Sequence, residues 1–230
     1  MLQWFLSKES QRKRALKKVD NGALYDYLSI PMPNNRTQCE DLVIVSLDLE
    51  TTGLDPKKDK ILSYGLVEVK HMTVRLDTSR HQLISIDDQI PESSAVIHQI
   101  TDDQAATGVP LEEALPVLLG HLAGKVMLVH YSAIEQNFID AACRNLYGAP
   151  FVIPIIDTLV LARRLYERRN HTIQPGNLRL FNLRPQYNLP NYKAHNALSD
   201  AVATAELFLA MAAEMFPNPS QCHLDRFITR

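Results

Sequence analysis

Two carboxylates placed two positions apart at the end of an apolar run constrain the fold of this chain more than any other feature. Residues 43–47 contain one polar side chain, Ser46, which is typical of a buried strand. Side chains at positions i and i+2 of a strand point to the same face, so Asp48 and Glu50 are expected to lie side by side. Two ionised carboxylates at that range repel each other unless a cation or a proton neutralises one of them. The pair therefore predicts a site for a hard divalent cation such as Mg²⁺ or Mn²⁺.

The composition is typical of a soluble globular chain with one domain and a short extension. Of the 230 residues, 46% are hydrophobic and 22% are charged, and no apolar run reaches the length that spans a membrane. The three cysteines are far apart in the sequence, which indicates reduced thiols in a cytoplasmic protein. The formal net charge of -2 provides no overall attraction for nucleic acid, so an anionic partner would need a local basic surface.

Residues 1–39 are predicted to form a basic helical arm followed by a turn-forming linker. Between Lys8 and Lys18 the only acid is Glu9, and four further basic residues lie in that stretch. Such a cluster is typical of a solvated helix that packs on its domain, and it is also typical of a phosphate-binding surface. Both interpretations stay open here, and in the second the arm would contact nucleic acid or a protein partner.

Beyond the arm, the sequence predicts a mixed α/β domain over residues 40–216 and a short tail over residues 217–230. Three strand signals with short connections precede residue 87 and indicate an antiparallel meander, with the third strand bulged near Ser79. Short buried strands then alternate with helices, which is typical of parallel strands. The predicted helices and strands of this second half are listed by residue number: 111–122, 126–129, 133–147, 153–156, 157–168 and 197–215.

Two later segments carry acids where such a sheet would bring them to the first pair. Glu135 lies one turn into a helix that follows a buried strand, and Asp200 lies in the first turns of the last helix, just after His195. Parallel strands present their C-terminal ends at one edge, so these residues are expected to meet Asp48 and Glu50. Four acids and a histidine predict two-metal phosphodiester hydrolysis, in which ions about 3.5–4 Å apart clamp the scissile phosphate. Histidine changes charge closest to neutral pH, which suits it to accept a proton from water.

Two further segments allow alternative interpretations. His98 lies between apolar residues in a predicted loop, where it either orders the substrate side of that loop or caps a turn. Residues 166–195 are rich in Arg and Asn and are predicted to contain a short helix. They form an amphipathic cover over the core, a basic flank that attracts the substrate backbone, or both. The basic residues concerned are Arg168, Arg169, Arg179, Arg184 and Lys193.

The motifs at residues 48–53, 130–135 and 195–200 resemble the three exonuclease motifs of the DEDDh 3′–5′ exonuclease family. That family includes the epsilon proofreading subunit of bacterial DNA polymerase III and its stand-alone homologues. The resemblance covers residues 42–215 and implies a ribonuclease-H-like fold with two Mg²⁺ or Mn²⁺ ions. It also implies release of nucleoside 5′-monophosphates from single-stranded or frayed 3′ ends of DNA, with RNA left open as a second substrate.

The resemblance implies roles for individual residues. His195 would be the general base, and Asp48 would be shared by both ions. The implied metal ligands are Asp48, Glu50, Glu135 and Asp200, and the implied substrate-binding residues are Thr51, Thr52, Gly53, Leu54 and His98. Gln99 stands where the similar family segment has glycine, and Asp157 matches an acid that we interpret as structural.

Glu135 departs from the family pattern, which has aspartate at this position. Asn and Phe are usual where this chain has Tyr131 and Ile134. Glutamate keeps the charge and adds one methylene, so it can reach the second ion directly or through water. We therefore expect an active enzyme, and the alternative is a nucleic-acid-binding or polymerase-associated scaffold that has lost turnover. The segment after Met215 is short for a linker with a docking segment, which favours a stand-alone enzyme or one tethered through the arm.

Overall fold

A five-stranded mixed sheet organises the chain, which the computed structural model describes over residues 7–228 without the side chains of Ser93 and Ile97. The strand order is β3-β2-β1-β4-β5; β1 runs antiparallel to β2 and parallel to β4, which is in turn parallel to β5. This arrangement confirms the predicted meander followed by parallel strands. The strands are β1 (Val43–Thr51), β2 (Ile61–Lys70), β3 (Thr73–Leu83), β4 (Val126–Val129) and β5 (Ile155–Asp157).

Helices pack on the two faces of the sheet, and in the described residues none is long and apolar enough to cross a bilayer. The helices are α1 (Lys8–Leu16), α2 (Ala23–Ser29), α3 (Glu92–His98), α4 (Asp102–Ala106), α5 (Leu111–Leu122), α6 (Ala133–Tyr147), α7 (Thr158–Arg168), α8 (Leu180–Leu183) and α9 (Ala197–Met215). The bounds of α5, β4, α6 and α9 are those predicted, because each segment has a clear apolar period and a terminating signal.

Strand β1 separates two hydrophobic layers, as the alternation of its side chains requires. Val45 and Leu47 pack with residues of α1, α2, α5 and α6, whereas Ile44 packs with residues of α7, α8 and α9. The first layer includes the arm, since Leu24 and Leu28 are fully buried in it. The arm is therefore packed on the domain, although residues 1–6 of the arm and residues 229–230 of the tail lie outside the described residues.

The third strand and the following segment show where local pattern succeeded and where it failed. Leu66 pairs with Arg80 and Glu68 pairs with Arg75, so extra residues of β3 bulge out and the bulge predicted near Ser79 is confirmed. The predicted loop around His98 is wrong, because His98 is the last residue of α3. That helix has only seven residues, too few for a helical period to be distinguished from an irregular segment.

A glycine in β2 allows α9 to approach the sheet directly behind the first acid. Gly65 pairs with Asp48, and a Cβ atom at Gly65 would lie only 2.1 Å from the backbone nitrogen of Leu198. The Ser46 hydroxyl also donates to the carbonyl of Ala201 at 2.7 Å, which ties α9 to β1. These contacts place the first turn of α9 next to the end of β1, where the acidic residues converge.

Candidate active site

Three carboxylates from two elements converge at the end of β1. Asp48, Glu50 and Asp200 each offer one carboxylate oxygen, and these oxygens all lie within 4.8 Å of one another. Glu50 is 4% exposed and Asp200 is 8% exposed, while Asp48 keeps partial access to solvent. The strand places the first two side chains on one face, and the close approach of α9 adds the third. The structure thus brings together three of the four predicted acids.

Glu135 approaches the cluster from the opposite side of β1. It lies in the first turn of α6, is 3% exposed, and in the described chain is not one of the three acids that group within 4.8 Å. Burial raises the pKa of Glu135 to about 8. Burial raises the pKa of Asp48 well above its usual value, and the charge of Glu135 is the next largest cause. Glu135 is thus near enough to Asp48 for the two carboxylates to repel each other.

The acidic cluster contains buried oxygens without a hydrogen-bond donor. Among the described residues these are Glu50 Oε1, Glu135 Oε2 and Asp200 Oδ1. Burial raises the pKa of Asp200 to about 7, against the opposing effect of the N–H group that His195 donates. Removing a carboxylate from water without a partner is costly, and divalent cations bound by oxygen ligands are its usual complement. The residues therefore fit bound divalent metal ions.

His195 lies on the loop that leads into α9, at the edge of the acidic cluster. Its backbone N–H donates to Asp200 Oδ2 at 3.1 Å, and its φ of 66° is in the left-handed region. Its ring faces the ring of His98 edge-on, with centroids 5.9 Å apart. The histidine is exposed, so a water molecule or a substrate can reach it. The structure therefore places it with the acids, as the spacing predicted.

His98 contacts the cluster directly. Its Nδ1 lies against Glu50 Oε2, and α3 docks on the end of β1 through the hydroxyl of Ser94, which donates to the Thr51 carbonyl at 3.1 Å. Of the two interpretations left open by the sequence, the position favours a contribution to the site. Gln99 follows with a φ of 57°, which explains why a glycine suits this position in the family segment.

The turn after β1 is held by its own hydrogen bonds. The Thr51 hydroxyl donates to the Gly53 carbonyl at 2.6 Å, and the Thr52 N–H donates to the Lys60 carbonyl at 2.9 Å. Leu54 at the tip is 77% exposed. An exposed leucine on a fixed turn beside the acids is available for contact with a base, as the resemblance implies.

Asp157 holds the turn through which β4 enters α6. It is 2% exposed, and its carboxylate accepts the N–H groups of Tyr131 at 3.2 Å and Ser132 at 2.8 Å, while also capping α7. These bonds stabilise the turn in which Tyr131 has a φ of 82°, a region that non-glycine residues rarely occupy. The structural role predicted for Asp157 is thus seen directly, and it orients the helix turn that carries Glu135.

The interpretation of Arg184 as part of a basic flank is wrong, because its side chain is fully buried. Its guanidinium donates to the carbonyls of Pro190 and Ala203 and to Glu206 Oε2 at 2.7 Å, and it lies over the ring of Tyr192. These contacts hold the segment before His195 against α9. The sequence carried no signal for this role, because a guanidinium on a polar segment looks solvent-exposed.

Lys193 is exposed and lines the pocket that also contains Glu50, His98 and His195, which is the position expected of a basic flank. Its Nζ donates to Gln99 Oε1 at 2.7 Å, which joins the loop before His195 to the end of α3. Arg169 pairs with Glu214, whereas Arg168 and Arg179 are exposed. The segment thus covers the second hydrophobic layer through Leu178, Leu180 and Leu183, while its exposed cations leave the basic-flank interpretation open.

Comparison with known sequences agrees with this geometry. The chain matches the family model described as Exonuclease (RNase_T) over residues 45–208. PolC-type DNA polymerase III of Thermotoga petrophila is 30% identical over 176 residues, which are 76% of this chain but 12% of that protein. DNA polymerase III subunit epsilon of Treponema pallidum is 28% identical over 189 residues, covering 80% of this chain and 82% of the relative. The chain therefore spans only a small part of its PolC-type relatives.

Solved structures of similar fold confirm the ribonuclease-H-like architecture. E. coli ExoI, in a zinc-bound complex with single-stranded DNA, has a TM-score of 0.67 at 18% identity, covering 79% of this chain and 42% of that one. The nuclease domain of 3′hExo, a DEDDh family member bound to rAMP, has a TM-score of 0.67 at 16% identity, covering 84% and 99%. The resemblance to DEDDh exonucleases and polymerase III epsilon that the motifs predicted is confirmed. Since the family model spans all four acids and His195, the chain belongs to the exonuclease family.

Proposed function

We propose that the protein is a metal-dependent 3′–5′ exonuclease that releases nucleoside 5′-monophosphates from single-stranded or frayed 3′ ends of DNA. The observation that carries this proposal is the convergence of Asp48, Glu50 and Asp200 within 4.8 Å, with Glu135 and His195 at the same edge of the sheet. Family membership supports the reaction class. The single-stranded DNA in the ExoI complex, a fold relative, supports the substrate class.

The acids divide into two overlapping sets of ligands. Asp48, Glu50 and Asp200 would hold one ion, and Asp48 with Glu135 would hold the second. When bound, two Mg²⁺ or Mn²⁺ ions neutralise the scissile phosphate and stabilise the attacking and departing oxygens. The buried, unpartnered carboxylate oxygens support this assignment, because they have no donor of their own.

The remaining site residues act on water and on the terminal nucleotide. His195 accepts the proton of the attacking water, and its backbone bond to Asp200 holds it beside the acids. The turn over residues 51–54 cradles the terminal nucleotide, with Leu54 against the base. His98, in contact with Glu50, lines the pocket that also contains Glu50 and His195, and it restrains that carboxylate.

The location and the partners follow from the same proposal. The three cysteines are free and buried, which fits the cytoplasmic location that we propose. The similar sequences include components of DNA polymerase III, which supports a role in DNA replication or repair. The arm, on which Lys13 and Lys17 are exposed, is the proposed contact for a polymerase or another protein partner.

A 5′-labelled oligonucleotide assay tests the proposal. We expect stepwise shortening from the 3′ end with Mg²⁺ or Mn²⁺, release of 5′-monophosphates, no reaction with EDTA, and a strongly reduced rate with Asp48→Asn. Matched DNA and RNA strands in the same assay define the sugar preference. Binding without metal-dependent shortening would replace the enzyme with the scaffold alternative that Glu135 suggested, and shortening by Asp48→Asn at the normal rate would refute the assignment of the acids.

A further inference from the structure

A polar recess of about 290 Å³ lies between arm helix α1 and helix α6. Three cationic side chains and one acid line it, together with side-chain amides. The charged residues are Arg14, Lys18, Arg144 and Asp140. Two of the amides belong to Gln136 and Asn137, near the start of α6. No part of the reaction proposed above uses this recess.

The fold sorts five of the basic residues of the arm into three groups. Arg12 is 5% exposed, and its guanidinium donates to the Glu9 carboxylate and to the Leu28 carbonyl. Lys13 and Lys17 are exposed and do not line the recess. Arg14, in the last turn of α1, and Lys18, in the turn that follows the helix, both line it.

The recess carries an excess of positive charge. Arg144 pairs with Asp140 at 2.6 Å, and Asp140 also accepts the N–H of Phe151 at 2.9 Å, so the charge of this acid is balanced by Arg144. In the part of the chain that the structure describes, no ion pair involves Arg14 or Lys18, and both are exposed. Two cations are thus left to attract an anion, although the whole chain has a net charge of -2.

Helix α6 connects the recess with the fourth acid. Gln136 directly follows Glu135, so one end of the recess lies at the helix turn that carries the fourth acid. Residues 136–144 extend roughly 12 Å along α6 at 1.5 Å per residue. A stacked strand advances about 3.4 Å along its axis per nucleotide, so this length matches a run of several nucleotides. The spacing suits a chain of phosphates more than a single small anion.

We propose that this recess binds the phosphodiester backbone of the substrate strand on the 5′ side of the nucleotide held at the acids. This inference rests on the proposed function, because a 3′ terminus at Asp48 leaves the rest of the strand to run 5′ along the surface. Arg, Lys and side-chain amides are the groups that contact phosphate oxygens without reading the base. The family match starts at residue 45, so Arg14 and Lys18 add a contact that lies outside it.

Two charge-matched double variants of the full chain test this inference. Arg14→Ala with Lys18→Ala removes the recess cations, and Lys13→Ala with Lys17→Ala removes two cations from another face of the same arm. Affinity for a labelled 16-nucleotide strand is measured by anisotropy in EDTA between 50 and 200 mM salt. We expect the recess variant to bind about ten-fold more weakly and its log–log salt slope to fall by about 1.4, at about 0.7 per lost phosphate contact. The control variant should keep the wild-type slope.

Cleavage kinetics then locate the contact along the strand. The recess variant should raise KM for the 16-nucleotide strand and leave kcat unchanged, while a dinucleotide, which is too short to reach the recess, should be cleaved as by wild type. Equal weakening by both variants, or no weakening by either, would overturn the inference and assign the recess to a protein partner or to no ligand. Binding is measured without metal, so it does not depend on cleavage. A protein that cleaves no strand would refute the proposed function, while the binding measurement would still test the role of the recess. Unchanged thermal melting of both variants shows that the arm stays folded.

Discussion

On the β1–α9 side of the acidic cluster, three carboxylates meet because backbone contacts hold two elements together. Gly65 lets α9 touch the sheet, and Ser46 bonds to Ala201. On the α6 side a single glutamate, Glu135, depends on a side chain, Asp157, to hold the turn before it. This contrast gives a reason why the acids on the β1–α9 side match the family pattern whereas Glu135 does not. A turn held by a side-chain cap can accommodate one more methylene in the acid that it carries, whereas tightly packed backbone cannot.

Neutralising one acid on each side compares them directly. We expect Asp48→Asn to lower kcat by about 10⁴-fold, which corresponds to about 5.5 kcal/mol, as when one member of a catalytic group acting as a unit is removed. Glu135→Gln should lower it by about 10²-fold, because an amide oxygen can still ligate and Asp48 remains. Single-turnover rates at saturating metal measure both. Equal losses would contradict the unequal roles of the two sides.

Adding a Cβ atom at Gly65, behind Asp48, tests the side of the cluster that backbone contacts hold together. Gly65→Ala should lower the free energy of unfolding by about 3 kcal/mol, since its Cβ would meet the α9 backbone at 2.1 Å and force the helix away. Gly120→Ala is the matched control, because a Cβ there meets nothing within 4 Å and helix α5 should gain about 1 kcal/mol. Urea unfolding of both variants measures the difference. A neutral Gly65→Ala would show that the approach of α9 is not limited by this residue.

Removing the cap tests the other side. Asp157→Ala leaves the N–H groups of Tyr131 and Ser132 and the start of α7 without their acceptor, and we expect a loss of about 2 kcal/mol. Asp157→Asn keeps one acceptor oxygen and should lose less. Urea unfolding gives the stability, and the metal concentration for half-maximal rate should rise if the turn of Glu135 is displaced. A stability loss without any change in metal dependence would confine Asp157 to folding.

The raised carboxyl pKa values predict an unusual pH dependence for the metal-free protein. The pKa of Glu135 rises from 4.5 to about 8 and that of Asp200 from 3.8 to about 7, so the folded state holds protons that the unfolded state releases between these values. Stability should therefore fall as pH rises through this window and reach its lowest level near pH 8.

Thermal melting in EDTA and in Mg²⁺ checks this pH dependence, at about 2–4 °C per kcal/mol for a chain of this size. Added metal should stabilise the protein more at pH 8 than at pH 6, because protons compete for the same oxygens. A metal-free melting temperature that rises with pH across the window would show that these acids are ionised and tolerated without a cation.

The smallest expected effect is that of restoring the family residue. Glu135→Asp shortens the side chain by one methylene without changing its charge, so we expect a change in kcat of less than about ten-fold, or about 1.4 kcal/mol. The preference for Mn²⁺ over Mg²⁺ should shift more than the maximal rate, because the second ion depends on the reach of this ligand. A large gain in rate would indicate that the glutamate had weakened the wild-type enzyme.

Much of the fold could be read from local pattern. The bounds of β4, α6 and α9 followed from apolar period and end signals, which act between near neighbours and need no knowledge of the fold. The pairing of Asp48 with Glu50 followed from the two-residue repeat of a strand. The domain limits at residues 39 and 216 stay a prediction, although α2 is buried in the same layer as β1.

The sequence by itself predicted that Asp48, Glu50, Glu135, His195 and Asp200 would lie at one edge of the sheet, because strand direction and motif spacing leave few other arrangements. Tertiary structure alone decided how closely they meet and what holds them. The burial of Arg184, the docking of α3 and the recess beside α6 join residues far apart in the chain, and the free energy of such contacts depends on packing and desolvation that no local pattern contains. The same basic residue type is a core hydrogen-bond donor at Arg184 and a free surface cation at Arg14, and only the surroundings distinguish them.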